Sequence, residues 1–291
     1  MNVAVESPAR LGETTLPDGR VLGWAEWGPA DGVPVLFIPG AATSRSLGFG
    51  ADVVGELGVR LASVDRPGLG VSTSDPGRGF ADFARDIGAL CADRGLGVPA
   101  IVGNSQGAPF ALACVVEGVA GPLALVSAAD EVSAPEFRGL LPDPVAALVR
   151  QVAEDPDSAE AFFAGFSADA MRDHVLASSP DVDVAVYTAP AFDAAYRCAL
   201  AEAFQQGSAG YARDTVLAMG RWPFDLTRIT TAVDVWYGEL DTSHSPDNGV
   251  TLAARIPGAT RHVVPDIGGA LLWTHAPEIL RDLLTRVRLA G

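Results

Sequence analysis

The stretch Gly103-Asn104-Ser105-Gln106-Gly107 restricts the folds open to this chain more than any other segment. A short apolar run, Pro99 to Val102, leads into it, and Ala108 to Cys114, which reads as a helix, leads out. A serine with glycine two residues to either side, set between strand and helix, is the pattern of a nucleophile elbow. Side chains at positions 103 and 107 would collide with neighbouring backbone, so the turn pushes Ser105 outward at the N-terminus of the next helix. There the helix dipole and the amide of Gln106 both favour negative charge.

An elbow of this kind needs a sheet behind it. Val35 to Ile38, Arg60 to Val64, Leu123 to Ser127, Val233 to Tyr237 and Thr260 to Val264 read as strands, several of them unbroken apolar runs of the sort buried on both faces. Val21 to Trp27, between turn signals at Asp18-Gly19 and Gly28-Pro29, reads as an antiparallel strand at the sheet edge. Helical spacing over Phe80 to Arg94 and Pro277 to Leu289 completes an alternation that predicts an α/β fold with a mostly parallel, doubly wound sheet. The alternation breaks after Ala128. Residues 132–231 read as helical throughout, punctuated by Pro142, Pro144, Pro156, Pro180 and Pro190, with the clearest helices at Val145 to Ala153, Ala159 to Phe166 and Phe192 to Phe204. The predicted organisation is one core, residues 1–131 and 232–291, with a helical cap, 132–231, over the edge where open α/β sheets bind ligands.

Composition narrows the function. Hydrophobic residues make up 48% of the 291, enough for a large core and an apolar cavity. A net charge of −16 excludes nucleic acid and anionic membranes as partners. All twenty basic residues are arginine, so Schiff-base chemistry on lysine is excluded too. Cys91, Cys114 and Cys198 lie too far apart for a metal or redox pair and read as buried free thiols. Gly68-x-Gly70 lacks the third glycine of a dinucleotide fingerprint. No cofactor and no metal are expected. Met1 to Leu16 has no basic-then-apolar leader, and no apolar run nears the ~18 residues of a membrane span. A cytoplasmic protein is expected, its partner an apolar small molecule, with a homodimer left open.

Three further segments carry a resemblance. Asp65-Arg66-Pro67-Gly68-Leu69-Gly70-Val71-Ser72 resembles the D-R-P-G-x-G-x-S segment of the α/β-hydrolase superfamily. Gln206 to Asp214 with Arg221-Trp222-Pro223-Phe224 resembles the cap of a bacterial subgroup, and Tyr237-Gly238-Glu239-Leu240-Asp241 resembles the loop that holds the triad acid. The resemblance runs nearly end to end. It implies an eight-stranded sheet, Ser105 as nucleophile, Asp241 as acid, and the amides of Ala41 and Gln106 as oxyanion donors. It says little about the reaction, because this fold hosts many chemistries.

The histidine breaks the pattern. The resemblance places it after the eighth strand, where this chain reads Ile267-Gly268-Gly269-Ala270-Leu271, and every register from Gly268 to Ala270 lands on a residue with no functional side chain. The general base is therefore expected to be absent. Of the four histidines, His275 is expected to pack at the start of the final helix, His244 to sit on the surface of the acid loop, His174 to belong to the cap and His262 to be structural. Loss of the base costs a serine triad about six decades in turnover. The leading expectation is thus an enzyme turned to non-hydrolytic chemistry, a rearrangement, cyclisation or carbon–carbon bond step on a bulky apolar molecule of secondary metabolism. Asn104, Asp130, His174, His244, Gly268 and Gly269 would line its pocket, with Asp130 and Glu131 as reserve carboxylates. Two alternatives stand beside it: a serine hydrolase with a relocated histidine, His244 or His275, and an inactive ligand-binding protein.

Overall fold

The computed structural model describes residues 3 and 5–290; Met1, Asn2 and Ala4, part of the start expected to hold no leader, lie outside the described residues, as does Gly291. Eight strands form one sheet in the order β1-β2-β4-β3-β5-β6-β7-β8. They are β1 (Arg10–Thr15), β2 (Val21–Trp27), β3 (Val33–Ile38), β4 (Val59–Val64), β5 (Ala100–Asn104), β6 (Leu123–Val126), β7 (Val233–Gly238) and β8 (Thr260–Val264). β2 runs antiparallel to both neighbours, and every pairing from β4 through β8 is parallel. The edge position expected for β2 belongs instead to β1. Its sequence, Arg-Leu-Gly-Glu-Thr-Thr, carries one apolar side chain, Leu11, and that one is exposed.

Alternate residues of β3 enter two separate cores. Val35 and Phe37 face a cluster with α11 (Ala276–Ala290), while Leu36 and Ile38 face one with α1 (Phe80–Arg94) and α2 (Gly107–Val116). A strand covered on both sides can be apolar at every position, which accounts for its unbroken run. Parallel register aligns Ile38 with Gly103 and Asn104 with Val126, so the loops leaving β3, β5, β6 and β7 gather at one end of the sheet.

Between β6 and β7 the chain forms α3 (Asp143–Glu154), α4 (Pro156–Phe163), α5 (Ala168–Ala177), α6 (Asp181–Tyr187), α7 (Pro190–Ala203) and α8 (Ala209–Met219). The prolines mark helix starts: Pro156 and Pro190 occupy first turns, where their missing N–H costs nothing. This layer is fastened over the strand ends by the two segments noted in the sequence. Gly68 and Gly210 pack backbone on backbone, a Cβ on Gly210 standing 2.6 Å from the Gly68 carbonyl oxygen. Gln206 Nε2 donates to the carbonyl of Gly70 at 2.6 Å. The Arg66 guanidinium donates to Asp214 at 2.6 Å, and Arg78 donates to the other oxygen of the same carboxylate. All three of these side chains are buried; one carboxylate serves two guanidinium groups, and backbone carbonyls of Pro39, Gly40 and Gly210 also accept from them. α9 (Val250–Arg255) and α10 (Leu271–Thr274) precede the final helix.

Candidate active site

Ser105 sits between the end of β5 and the start of α2 with φ +49°, a conformation that L-residues rarely adopt. The flanking glycines allow it. A Cβ on Gly103 would stand 2.8 Å from Cβ of Ala111, and one on Gly107 would stand 2.2 Å from the carbonyl oxygen of Ile38. The Asn104 side chain lines the cavity, and its amide donates to the carbonyl of Val126.

An imidazole stands beside Ser105, and it is that of His244. Its Nε2 lies 3.1 Å from the Ser105 hydroxyl, and its Nδ1 lies 2.9 and 3.0 Å from the two oxygens of Asp241. The expected vacancy is not there. His244 leaves the same loop after β7 as Asp241, three residues on, and that loop is closed by the Asp241 carboxylate, which accepts from the amides of Ser243 and His244. From behind, the Asp130 amide donates to the His244 carbonyl and Ser245 donates its hydroxyl to the Asp130 carboxylate. A surface position for His244 is therefore corrected: its side chain is 21% exposed and points inward.

Gly268 and Gly269 are also re-read. A Cβ on Gly269 would stand 2.8 Å from His244 Cε1, and one on Gly268 would stand 2.4 Å from Asp183 Oδ2. Gly269 makes room for an imidazole arriving from another loop, and Gly268 makes room for the Asp183 carboxylate. Gly269 lines the cavity, but Gly268 does not, because it is pressed against Asp183 and donates its amide there. His275 caps the end of α10 and pairs with Thr274, away from Ser105. His262 stacks on Trp236 and bonds Asp234, and Glu131 is taken up by Arg255, Arg221 and the Trp222 amide. Neither reserve carboxylate is free: Asp130 is 1% exposed, borders the cavity and serves the His244 loop.

Burial works against a charged His244, but Asp241 in contact and Asp183 further off outweigh it and hold its pKa above the ordinary value of 6.5. Burial likewise opposes a charged Asp241, and the adjoining imidazole together with the Ser243 amide overcomes it, keeping this carboxyl below the usual range. With the carboxylate at Nδ1, the proton belongs on that nitrogen and Nε2 is left to accept from Ser105.

Two amides complete the arrangement. Arg66 donates to the carbonyls of Pro39 and Gly40. A trans peptide sets its C=O and N–H in opposite directions, so the Ala41 amide is turned away from Arg66. The loop itself lies against the nucleophile, a Cβ on Gly40 standing 3.3 Å from Cβ of Ser105. The same guanidinium reaches Gln106 Oε1 at 3.2 Å, and Gln106 Nε2 donates to Thr215. Among the described residues, the amides of Ala41 and Gln106 have no protein acceptor.

A cavity of about 460 Å³ opens over Ser105 and His244, walled by Phe163, Phe166, Tyr187, Tyr196, Tyr211 and Trp273. His174 reaches this wall from α5, edge-on to Phe166. Nothing local in the sequence marks Asp183, or which aromatic residues of the helical layer face inward. Arg66 stood in a noted motif without a role. Cys91 and Cys114 are buried, but Cys198 on α7 is exposed, contrary to expectation. Among the described residues, no group of three His, Cys, Asp or Glu side chains could hold a metal ion, and no helix is long and apolar enough to cross a membrane.

The comparisons agree on the architecture. A family model described as "Alpha/beta hydrolase family" matches residues 35–282. A bromoperoxidase from Bacillus anthracis superposes with a TM-score of 0.70 at 19% identity, over 96% of this chain and 100% of that one. The enol-lactonase from Burkholderia xenovorans LB400 gives 0.68 at 16%, over 94% and 100%. An esterase from Rhodococcus sp. gives 0.67 at 19%, over 95% and 98%. No curated protein sequence matches the chain.

Proposed function

Because the chain belongs to the alpha/beta hydrolase family, we propose that it is a serine hydrolase that cleaves carboxylic esters, cyclic or open, with a bulky apolar group. The observation that carries this reading is the unbroken chain Ser105–His244–Asp241, with contacts of 3.1 and 2.9 Å. Non-hydrolytic chemistry was inferred from a missing base, and with His244 in place that premise is gone.

In this reading the Ser105 hydroxyl adds to the ester carbonyl as His244 Nε2 takes its proton. The resulting oxyanion accepts from the amides of Ala41 and Gln106. His244 then protonates the departing alkoxide, leaving an acyl group on Ser105. Water adds to that acyl group with His244 again as base, and the acid leaves. Asp241 keeps the imidazole in the productive tautomer and offsets its transient charge. The helices of 132–231 act as the cap. Their aromatic wall excludes water and accepts the apolar portion, which favours aromatic or branched groups over short chains.

A fluorophosphonate probe and a series of aryl esters test the reading. Stoichiometric labelling of Ser105, lost in Ser105→Ala together with ester turnover, supports it. An unlabelled wild-type protein that also leaves every ester intact would overturn it.

A further inference from the structure

Asp183 is 0% exposed, sits on α6 of the helical layer and takes no part in the steps above. Its Oδ1 accepts from the Gly268 amide at 3.0 Å; burial raises this carboxyl above the usual range, and the amides of Gly268, Ala270 and Gly269 offset that in part by favouring the charged form. Its Oδ2 has no partner among the described residues. The turn it binds is the one that carries His244 on its other side: a Cβ on Gly268 would meet Asp183 Oδ2 at 2.4 Å, and a Cβ on Gly269 would meet His244 Cε1 at 2.8 Å. A carboxylate and an imidazole thus press on successive glycines.

A buried carboxylate with an unanswered oxygen is costly and calls for an explanation. Packing alone would be served better by leucine, and the hydrogen bond to Gly268 by a neutral asparagine. The groups around the imidazole narrow the purpose. Asp241 and Ser243 come from its own loop, Ser105 from the elbow, and Asp183 and Tyr187 from α6, with Asp130 behind the loop backbone. Asp241 and Asp183 are the two acids whose charge acts on His244, and both favour its protonated form.

We propose that Asp183 is a second carboxylate serving His244: it fixes the Gly268–Ala270 turn against which the ring rests and stabilises the imidazolium formed during turnover. It touches no reacting atom and is a positioning residue. The proposal rests on His244 being the general base. It also makes one cap helix part of the catalytic electrostatics, so that displacing α6 lowers reactivity as well as opening the cavity.

The test is the titration of His244 followed through its imidazole NMR signals, assigned by their loss in His244→Asn. Asp183→Asn keeps the shape and the acceptor for Gly268 but removes the charge. Its His244 midpoint is expected to move to lower pH, while kcat on an aryl ester falls about fivefold with KM nearly unchanged. A purely structural role would lower the melting temperature and leave the midpoint where it was, which overturns the proposal. Should Asp183→Asn fail to fold, Asp183→Ser supplies the same comparison. The titration needs no turnover. A shifted midpoint in a protein that hydrolyses nothing would sink the serine hydrolase and spare this electrostatic link, and an unshifted midpoint in an active enzyme would do the reverse.

Discussion

Gly269 and His244 fit together as socket and plug. The imidazole occupies the space a side chain at 269 would fill, its Cε1 falling 2.8 Å from where that Cβ would be. The imidazole beside Ser105 comes from the loop after β7, and the turn after β8 presents glycine where it faces that ring.

Restoring bulk there is expected to be harmful. Gly269→Ala should push His244 off Ser105 and lower kcat about tenfold to a hundredfold, since a displacement of about 1 Å at a reacting group costs that much. Gly268→His should not recreate a second base, because its Cβ would meet Asp183 Oδ2 at 2.4 Å, and the melting temperature should fall. Ester kinetics and thermal melts of both variants check this; a Gly268→His enzyme as active and as stable as the wild type contradicts it.

Removing the imidazole itself should be far more severe. His244→Ala is expected to fold, since the side chain sits at a cavity wall and not in the core, and to lose about 10⁵–10⁶ in kcat, with Ser105→Ala no worse when combined. Equal losses in the single and double variants identify one working unit. Additive losses would show that the two residues act apart.

His244 accepts a proton only when neutral, so the acid limb of kcat/KM tracks its ionisation. Burial favours the neutral ring, but Asp241 and Asp183 prevail, and the midpoint lies above 6.5. Activity is therefore expected to fall as the pH drops through a value on the alkaline side of free imidazole. Asp241→Asn should shift that limb to lower pH and reduce kcat about 10⁴-fold. A rate profile from pH 5 to 9 reads both effects.

What the sequence disclosed follows from how local each signal is. The elbow is written in a five-residue pattern, so Gly103 and Gly107 announce it, although the atoms they make way for lie on α2 and at the end of β3. The parallel strands are legible because burial on both faces removes polar alternation, as in β3. β1 escapes notice for the opposite reason, being polar and exposed at the edge. The identity of the base was not legible. Whether His244 faces solvent or Ser105 depends on the turn that Asp241 and Asp130 impose on its loop, and that turn is set by long-range contacts. Gly268-Gly269 reads as a deletion of chemistry in one dimension and as clearance for Asp183 and His244 in three.

Asp130 offers a stability test with a definite sign. Burial lifts its carboxyl to about 6, against the hydroxyl of Ser245 and the amide of Glu131, which favour the charged form. An acid whose pKa is higher folded than unfolded takes up protons on folding, so its favourable contribution is full at low pH and is lost as the pH rises through about 6. Asp130→Asn should therefore raise the melting temperature at pH 8, by an amount of order 2 kcal/mol in stability, and leave it nearly unchanged at pH 4. Equal effects at both pH values would show that the charge is not what matters.

In the serine hydrolase reading Arg66 links the helical layer to the proposed oxyanion donors, and its loss should be read in the transition state. It holds the Gly40 carbonyl at 3.0 Å, which turns the Ala41 amide away from the guanidinium, and it is itself aimed by Asp214 of α8. Lysine cannot reach Gly40, Gln106 and Asp214 at once, because it lacks the planar fork. In Arg66→Lys the peptide between Gly40 and Ala41 is free to rotate, and the donor is then present for only part of the time. The expected result is a fall in kcat of about tenfold to a hundredfold, short of the 10²–10³ lost with a donor outright, at little change in KM. Affinity for a boronic acid, whose adduct with Ser105 places an oxygen between the two amides, should drop by the same factor as kcat. Substrate and adduct binding weakened equally would instead mean that Arg66 only braces the cavity.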